Sequence, residues 1–219
     1  GRSRWGIMPH RNSISVCRRI LQKRDDRKQG AENPPKNKNL KKDWRRRMKY
    51  CFGVDIGGTT VKMGLFAENG DIRDKWEIVT KTEDEGKAIL PDVAAAISGK
   101  MEEHHLTKED IKGIGVGVPA PVTAEGVVNG SANLGWKYKE AKKELEELTG
   151  MKATFGNDAN VAALGEMWKG GGAGCKNLVM VTLGTGVGGG VIVGGKIVVG
   201  QFGAGGEIGH MCVNYHETK

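Results

Sequence analysis

Three stretches of the sequence carry residue types that could do phosphate and hydroxyl chemistry. The first is Asp55-Ile-Gly-Gly-Thr-Thr60, where an apolar run reaches an acid and then two glycines. Gly57 and Gly58 open backbone conformations closed to other residues and let a ligand approach the chain. Thr59 and Thr60 offer hydroxyl and amide donors to phosphate oxygens. Asp55, at a strand end, could hold a magnesium ion through water, and Lys62 could add a point charge. A plain Gly-Gly hairpin fits the same letters. The second stretch is Thr182–Gly190, TLGTGVGGG, another strand running into glycines. Gly188–Gly190 would weaken a strand unless something must pass close by. Two such turns favour phosphate, although neither is a GxxxxGK[ST] loop.

The third is Gly156-Asn-Asp-Ala-Asn160. Asp158 sits between a strand and a helix, so it reads as a helix N-cap. It also reads as a carboxylate at the mouth of a sheet, placed to take the proton of a hydroxyl that attacks phosphorus. Downstream, GGEIGH puts Glu207 and His210 three apart, on one face if helical. A buried carboxylate there could accept hydrogen bonds from sugar hydroxyls; a surface helix is the plainer reading. SANLGW, Ser131–Trp136, reads as a loop with one amide and an exposed indole.

The elements that must position these residues follow from pattern. YCFGVDI is a buried strand, and two further strands meet at Asn69-Gly70, a hairpin dipeptide. Thr82-Glu-Asp-Glu85 reads as a capping box before a helix whose stripe is Ile89, Val93, Ile97 and Met101. IKGIGVGV is a buried strand ending at Pro119, and KEAKKELEELT is an amphipathic helix stopped by Gly150. A strand, a polar turn and a helix follow over 152–171. A last hairpin turns at Gly194-Gly195. Three meandering strands followed by alternating helix and strand make an α/β protein.

Charge divides the chain. Residues 1–50 hold 17 Lys/Arg against 4 Asp/Glu, and the remainder holds 17 against 22. An acidic body thus follows a basic leader, 1–47, too poor in apolar residues to form a core, so disorder is the expectation. The leader lacks an apolar h-region, so it is no secretory signal. Trp44-Arg45 can be encoded TGGAGG, a purine-rich ribosome-binding sequence just ahead of Met48. The expectation is that translation starts at Met48 and that 1–47 is not native. Cys17, Cys51, Cys175 and Cys212 are scattered, which points to reduced thiols in a cytoplasmic protein. No apolar run is long enough to span a membrane.

In this order, DIGGTTVKMGLF, GVGVPAPV, NLGW, GNDAN, TLGTGVGGG and GGEIGH together resemble the ROK family of repressors and sugar kinases, and within it the bacterial glucokinases. The resemblance runs from about Lys49 to Lys219. It implies an actin-like (RNase H-like) ATPase fold, two α/β domains around a cleft. The first would span 48–168 and the second, incomplete here, 169–219. It implies ATP- and Mg2+-dependent phosphorylation of a hexose, glucose first, with N-acetylmannosamine, mannose or fructose as alternatives and a sugar-responsive repressor as another. Asp158 is then the base. Asn133, Asn157, Glu207 and His210 are sugar contacts. Asp55, Gly57, Gly58, Thr59, Thr60, Lys62, Gly184, Thr185 and Gly186 lie at the nucleotide.

Ala120 replaces the usual glycine of a PGPV segment. In the family the histidine of the GGEIGH motif, here His210, joins three cysteines of a later CxCGxxGC segment around a structural zinc. That segment does not occur in this sequence, so zinc is expected only in a longer protein, and ordinary turnover is not expected of this chain by itself. The implied partners are sugar and ATP, with no membrane and no specific nucleic acid. A homodimer is implied for the complete protein.

Overall fold

The computed structural model describes residues 48–184 and 186–212. The leader 1–47, Thr185 and 213–219 lie outside the described residues. β1 (Tyr50–Ile56), β2 (Thr60–Ala67) and β3 (Ile72–Val79) form an antiparallel meander. Asn69 and Asp71 lock the second turn, the Asp71 N–H donating to Asn69 Oδ1 at 3.1 Å, while Gly70 takes φ +86°. β4 (Ile111–Val118) runs parallel to β1, and β5 (Ala153–Asn157) parallel to β4. The sheet order is β3-β2-β1-β4-β5.

Both faces of this sheet are covered, which is why β1 and β4 read as continuous apolar runs rather than alternating ones. Phe52, Val54 and Ile56 point to one side with Val61, Met63 and Leu65. There they meet α1 (Ile89–Glu103), which buries Ile89, Leu90, Val93, Ala94 and Ile97 at helical spacing. α2 (Ala141–Thr149) packs on the same cluster through Ala141 and Leu145, and stops at Gly150 with φ +68°. On the other side Cys51 and Phe66 meet Trp168 of α3 (Asp158–Lys169).

Thr82 does not form the expected capping box. It makes no side-chain cap bond, and Asp84 and Glu85 adopt left-handed φ values of 50° and 58°. A tertiary contact overrides the local signal: the Trp136 indole N–H donates to Gly86 O at 3.1 Å, and Lys137 pairs with Glu85. α1 therefore begins three residues beyond Gly86.

A second sheet holds β6 (Leu178–Leu183), β7 (Val187–Val193) and β8 (Lys196–Ile197), all antiparallel. Gly194 and Gly195, both with positive φ, make its tight turn. α3 lies between the sheets. Its Ala163, Leu164 and Met167 pack on Ile192, Leu178 and Met180 of the second sheet. Gly190 lets it in: a Cβ there would lie 2.5 Å from Ala163 Cβ. No helix among the described residues is long and apolar enough to cross a membrane.

Candidate functional site

β5 runs straight into α3, so its C-terminal end delivers Asp158 at the first helical position. The cap is Asn157, whose side chain accepts the Asn160 N–H at 3.1 Å. Asp158 is therefore not needed as the cap; its Oδ1 accepts the adjacent Ala159 N–H at 2.7 Å. This turn packs on two small residues that are cross-strand neighbours, Gly117 and Gly156, and at Gly156 a Cβ would stand only 3.1 Å from Val161 Cγ2. A Cβ on Gly117 would stand 3.7 Å from Asp158 Cα and 3.7 Å from Asp55 Oδ1, so the two acids flank one glycine. They lie at the carboxyl ends of parallel strands, the usual ligand position in an open α/β sheet. Partial burial holds the Asp158 carboxyl above its ordinary range, and the nearby Glu207 charge adds to the effect. A carboxylate so placed has its proton affinity moved towards that of a working base.

Asn133 is presented by the Ser131–Trp136 loop. Ser131, Leu134 and Trp136 are buried and Asn133 is exposed. The indole is thus an anchor, 3 % exposed, not the surface group the sequence suggested. Ser131 Oγ donates to Pro119 O at 3.3 Å, tying the loop to the end of β4.

Glu207 is exposed, which fits the plainer surface reading and not that of a buried carboxylate. Glu207 stands just before a single 3-10 turn, Ile208–His210, and His210 is exposed too. The segment docks through Ile208 instead, whose side chain fills the space over Gly189.

The first glycine loop is braced from below: Thr80 Oγ1 donates to Gly57 O at 2.7 Å and Thr80 N–H to Thr59 O at 2.9 Å. Gly58 and Thr59 stay exposed. A Cβ on Gly58 would come 3.2 Å from Asn133 O, which places this loop beside the Asn133 loop. Thr60 opens β2, and Lys62 is exposed, opposite Asp55 in the β1–β2 ladder and opposite Glu77 in the next. In the second glycine turn no described residue lies within 4 Å of a Cβ built on Gly184 or Gly186, so packing among the described residues does not require glycine at either position.

A cleft of about 860 Å³ separates the two sheets. Asn133, Asn157, Asp158, Glu207 and His210 all line it, as do Gly184 and Gly186 of the second turn. Asp55, Gly57, Gly58, Thr59, Thr60 and Lys62 do not line it; they sit next to it through Gly58 and Gly117. Ala120 is at the cleft wall and is 5 % exposed. Sequence reasoning missed Gly117, Thr80 and Asn160. All three lie in or beside strand ends adjoining the motifs, a neighbourhood that could have flagged them.

The residues present do not make a zinc site at His210. Among the described residues the group of three potential ligands is elsewhere: Asp74, Glu103 and His104. Lys100 Nζ already bridges Asp74 and Glu103 at 2.8 Å each, which makes that cluster an ion-pair network.

Strand ends, a carboxylate over a glycine, and a cleft between two sheets define an α/β protein of the actin-like ATPase fold. Residues 51–219 match the ROK family, and the chain belongs to it. A glucokinase of Halalkalibacterium halodurans is 46 % identical over 166 residues, which is 75 % of this chain and 50 % of that one. A ROK family glucokinase from Streptomyces griseus, solved with glucose and AMPPNP, superposes with a TM-score of 0.66 at 36 % identity, covering 75 % of this chain and 51 % of that chain. A putative xylose repressor of a Caldicellulosiruptor species is 30 % identical over 76 % of this chain and 42 % of its own. The chain spans about half the length of these relatives.

Proposed function

We propose that the cleft serves ATP-dependent phosphorylation of a hexose hydroxyl, with glucose the first candidate and N-acetylmannosamine, mannose and fructose as alternatives. The observation that carries this reading is Asp158: a partly buried carboxylate with raised proton affinity, freed from capping by Asn157, facing a glycine turn across the cleft. ATP supplies the phosphoryl group; Asp55, beside the cleft, would hold Mg2+, which would offset the phosphate charge. Asp158 takes the proton of the sugar hydroxyl as that oxygen bonds to the γ-phosphorus and the bond to the ADP oxygen breaks. Asn133, Asn157, Glu207 and His210 hold the sugar. Gly57–Thr60 with Lys62, and Gly184–Gly186, receive phosphate through backbone N–H groups, hydroxyls and one ammonium. Open space at Gly184 and Gly186 supports that role.

The reading extends to a cytoplasmic protein working on small molecules, as a homodimer when complete, without a specific nucleic-acid partner. The presence of two separate sheets, β1–β5 and β6–β8, supports a division into 48–168 and 169–219. The test is a coupled ADP-release assay over a sugar panel. It uses a chimera that joins this chain to the part of the Halalkalibacterium relative outside the match. Glucose-dependent turnover supports the proposal. Sugar binding without ADP release with any sugar of the panel would instead favour a sugar-responsive regulator, a reading supported by the repressor relative.

A further inference from the structure

α3 presents Asp158 to the cleft, but two residues later it turns Asn160 away from it. Asn160 is 5 % exposed and does not line the cleft; it lines a smaller cavity behind the helix, with Val116, Phe155 and Val161. An amide among apolar groups is costly to bury unless its hydrogen bonds are used. Asn160 Nδ2 donates to Gly205 O at 3.4 Å, and Oδ1 is buried with no partner among the described residues.

The backbone of the segment it holds is closely packed. A Cβ on Gly203 would lie 2.6 Å from Val122 O, and one on Gly205 would lie 2.6 Å from Gly200 N. Gly206, with φ +94°, would bring a Cβ to 3.1 Å from Gly189 O and 3.3 Å from Asn160 Oδ1. Gly203–Gly206 is therefore pressed between the Val122 loop that follows β4, β7 and the Asn160 amide, and Glu207 is the next residue.

We propose that Asn160 is a positioning residue: its side-chain amide clamps the Gly205–Gly206 backbone to α3 and so fixes Glu207 across the cleft from Asp158. One helix then carries the base on its cleft side and the tether for the opposing acid on its back. The influence of Glu207 on the Asp158 carboxyl is consistent with that spacing. The role of the pair in sugar phosphorylation rests on the function proposed above; the clamp does not, and its test needs neither sugar nor ATP.

The test compares Asn160→Ala and Asn160→Leu with the parent 219-residue chain. Amide hydrogen exchange, thermal unfolding and the Asp158 carboxyl titration, followed by carbon NMR, are the readouts. Exchange over 204–210 is expected to quicken about five- to tenfold in both variants, the effect of losing one hydrogen bond, while β1–β5 keep their parent rates. The Asp158 titration is expected to move down towards the ordinary carboxylate range in both. Leucine keeps the buried volume and removes the unpartnered oxygen, so Asn160→Leu is expected to loosen 204–210 without lowering the thermal midpoint. Unchanged exchange at 204–210 in Asn160→Leu, or loosening spread evenly over α3 and β5 with Asp158 titrating as in the parent, would overturn the proposal.

Discussion

The two sheets solve the same packing problem to different extents. In the five-stranded sheet, helices cover both faces: Phe52, Val54 and Ile56 meet α1 and α2, and Cys51 and Phe66 meet Trp168. In the three-stranded sheet a helix covers one face, and among the described residues the other is met only over β7, where Ile208 sits on Gly189. Leu178, Met180 and Ile192 pack on α3, while Val179, Val181 and Leu183 on the other face are exposed by 63, 53 and 74 %. Val187 and Val193 of β7 continue that exposed row. The residues are apolar on both faces, so the sequence of β6 encodes a strand buried on two sides and the described residues bury it on one. Stability should therefore be concentrated in the first sheet, while the second sheet supplies shape to the cleft.

The largest effect should come from the first sheet. Phe52 is fully buried and stands edge-to-face on Trp76, 6.2 Å between centroids. Phe52→Ala should cost about 3–5 kcal/mol, measured by urea unfolding. A next, smaller effect comes from the seam between sheets. Gly190→Ala would set its methyl 2.5 Å from Ala163 Cβ and 3.0 Å from Ala159 O, an overpacking worth about 1–3 kcal/mol. Gly184→Ala, with open space around it, should leave unfolding unchanged and weaken nucleotide binding.

Acid tests the outer edge of the first sheet. His104 and Lys100 hold the Asp74 carboxyl down at about 2, against an ordinary 3.8. A depressed carboxyl contributes stability above its unfolded value and loses it as pH falls through its folded one. The parent should lose thermal stability between about pH 4 and pH 2 faster than Asp74→Asn does; parallel curves would mean that the network contributes nothing. The smallest effect belongs to the bare face. Val181→Thr should change stability by less than about 0.5 kcal/mol. A cost near that of Phe52→Ala would show that something covers this face in solution and would break the contrast.

Much of the first sheet was legible because its signals are local. Apolar runs with no alternation gave β1 and β4, Asn69-Gly70 gave a hairpin, and Gly150 gave a helix stop. The signals that failed were those decided by distant partners. Thr82 looks like a cap until the Ser131–Trp136 loop docks on Gly86. Trp136 looks exposed in a polar loop but fills the space between that loop and α1. Asp158 and Asn157 were both singled out, yet the division of labour between them, one capping and one left for the cleft, needed coordinates. Glu207 was open to two readings, a carboxylate buried beside Gly205-Gly206 and a plain surface residue. Close packing is real there, but it belongs to the backbone, and the side chain is exposed. Asn160 drew no notice, because an amide in a helix reads as surface until its neighbours are seen to be valines.

The proposed chemistry needs Asp158 to be a base and not merely a helix terminus. Asp158→Asn keeps the shape of the side chain and can still accept the Ala159 N–H. It removes a carboxyl whose proton affinity burial has raised, so at neutral pH the variant should unfold no earlier than the parent. The decisive measurement is kcat of Asp158→Asn against the parent in the chimera, with sugar affinity measured separately by calorimetry. A fall of about 10²–10⁴-fold in kcat with sugar affinity nearly unchanged is the expected result. Turnover within a factor of a few of the parent would contradict it.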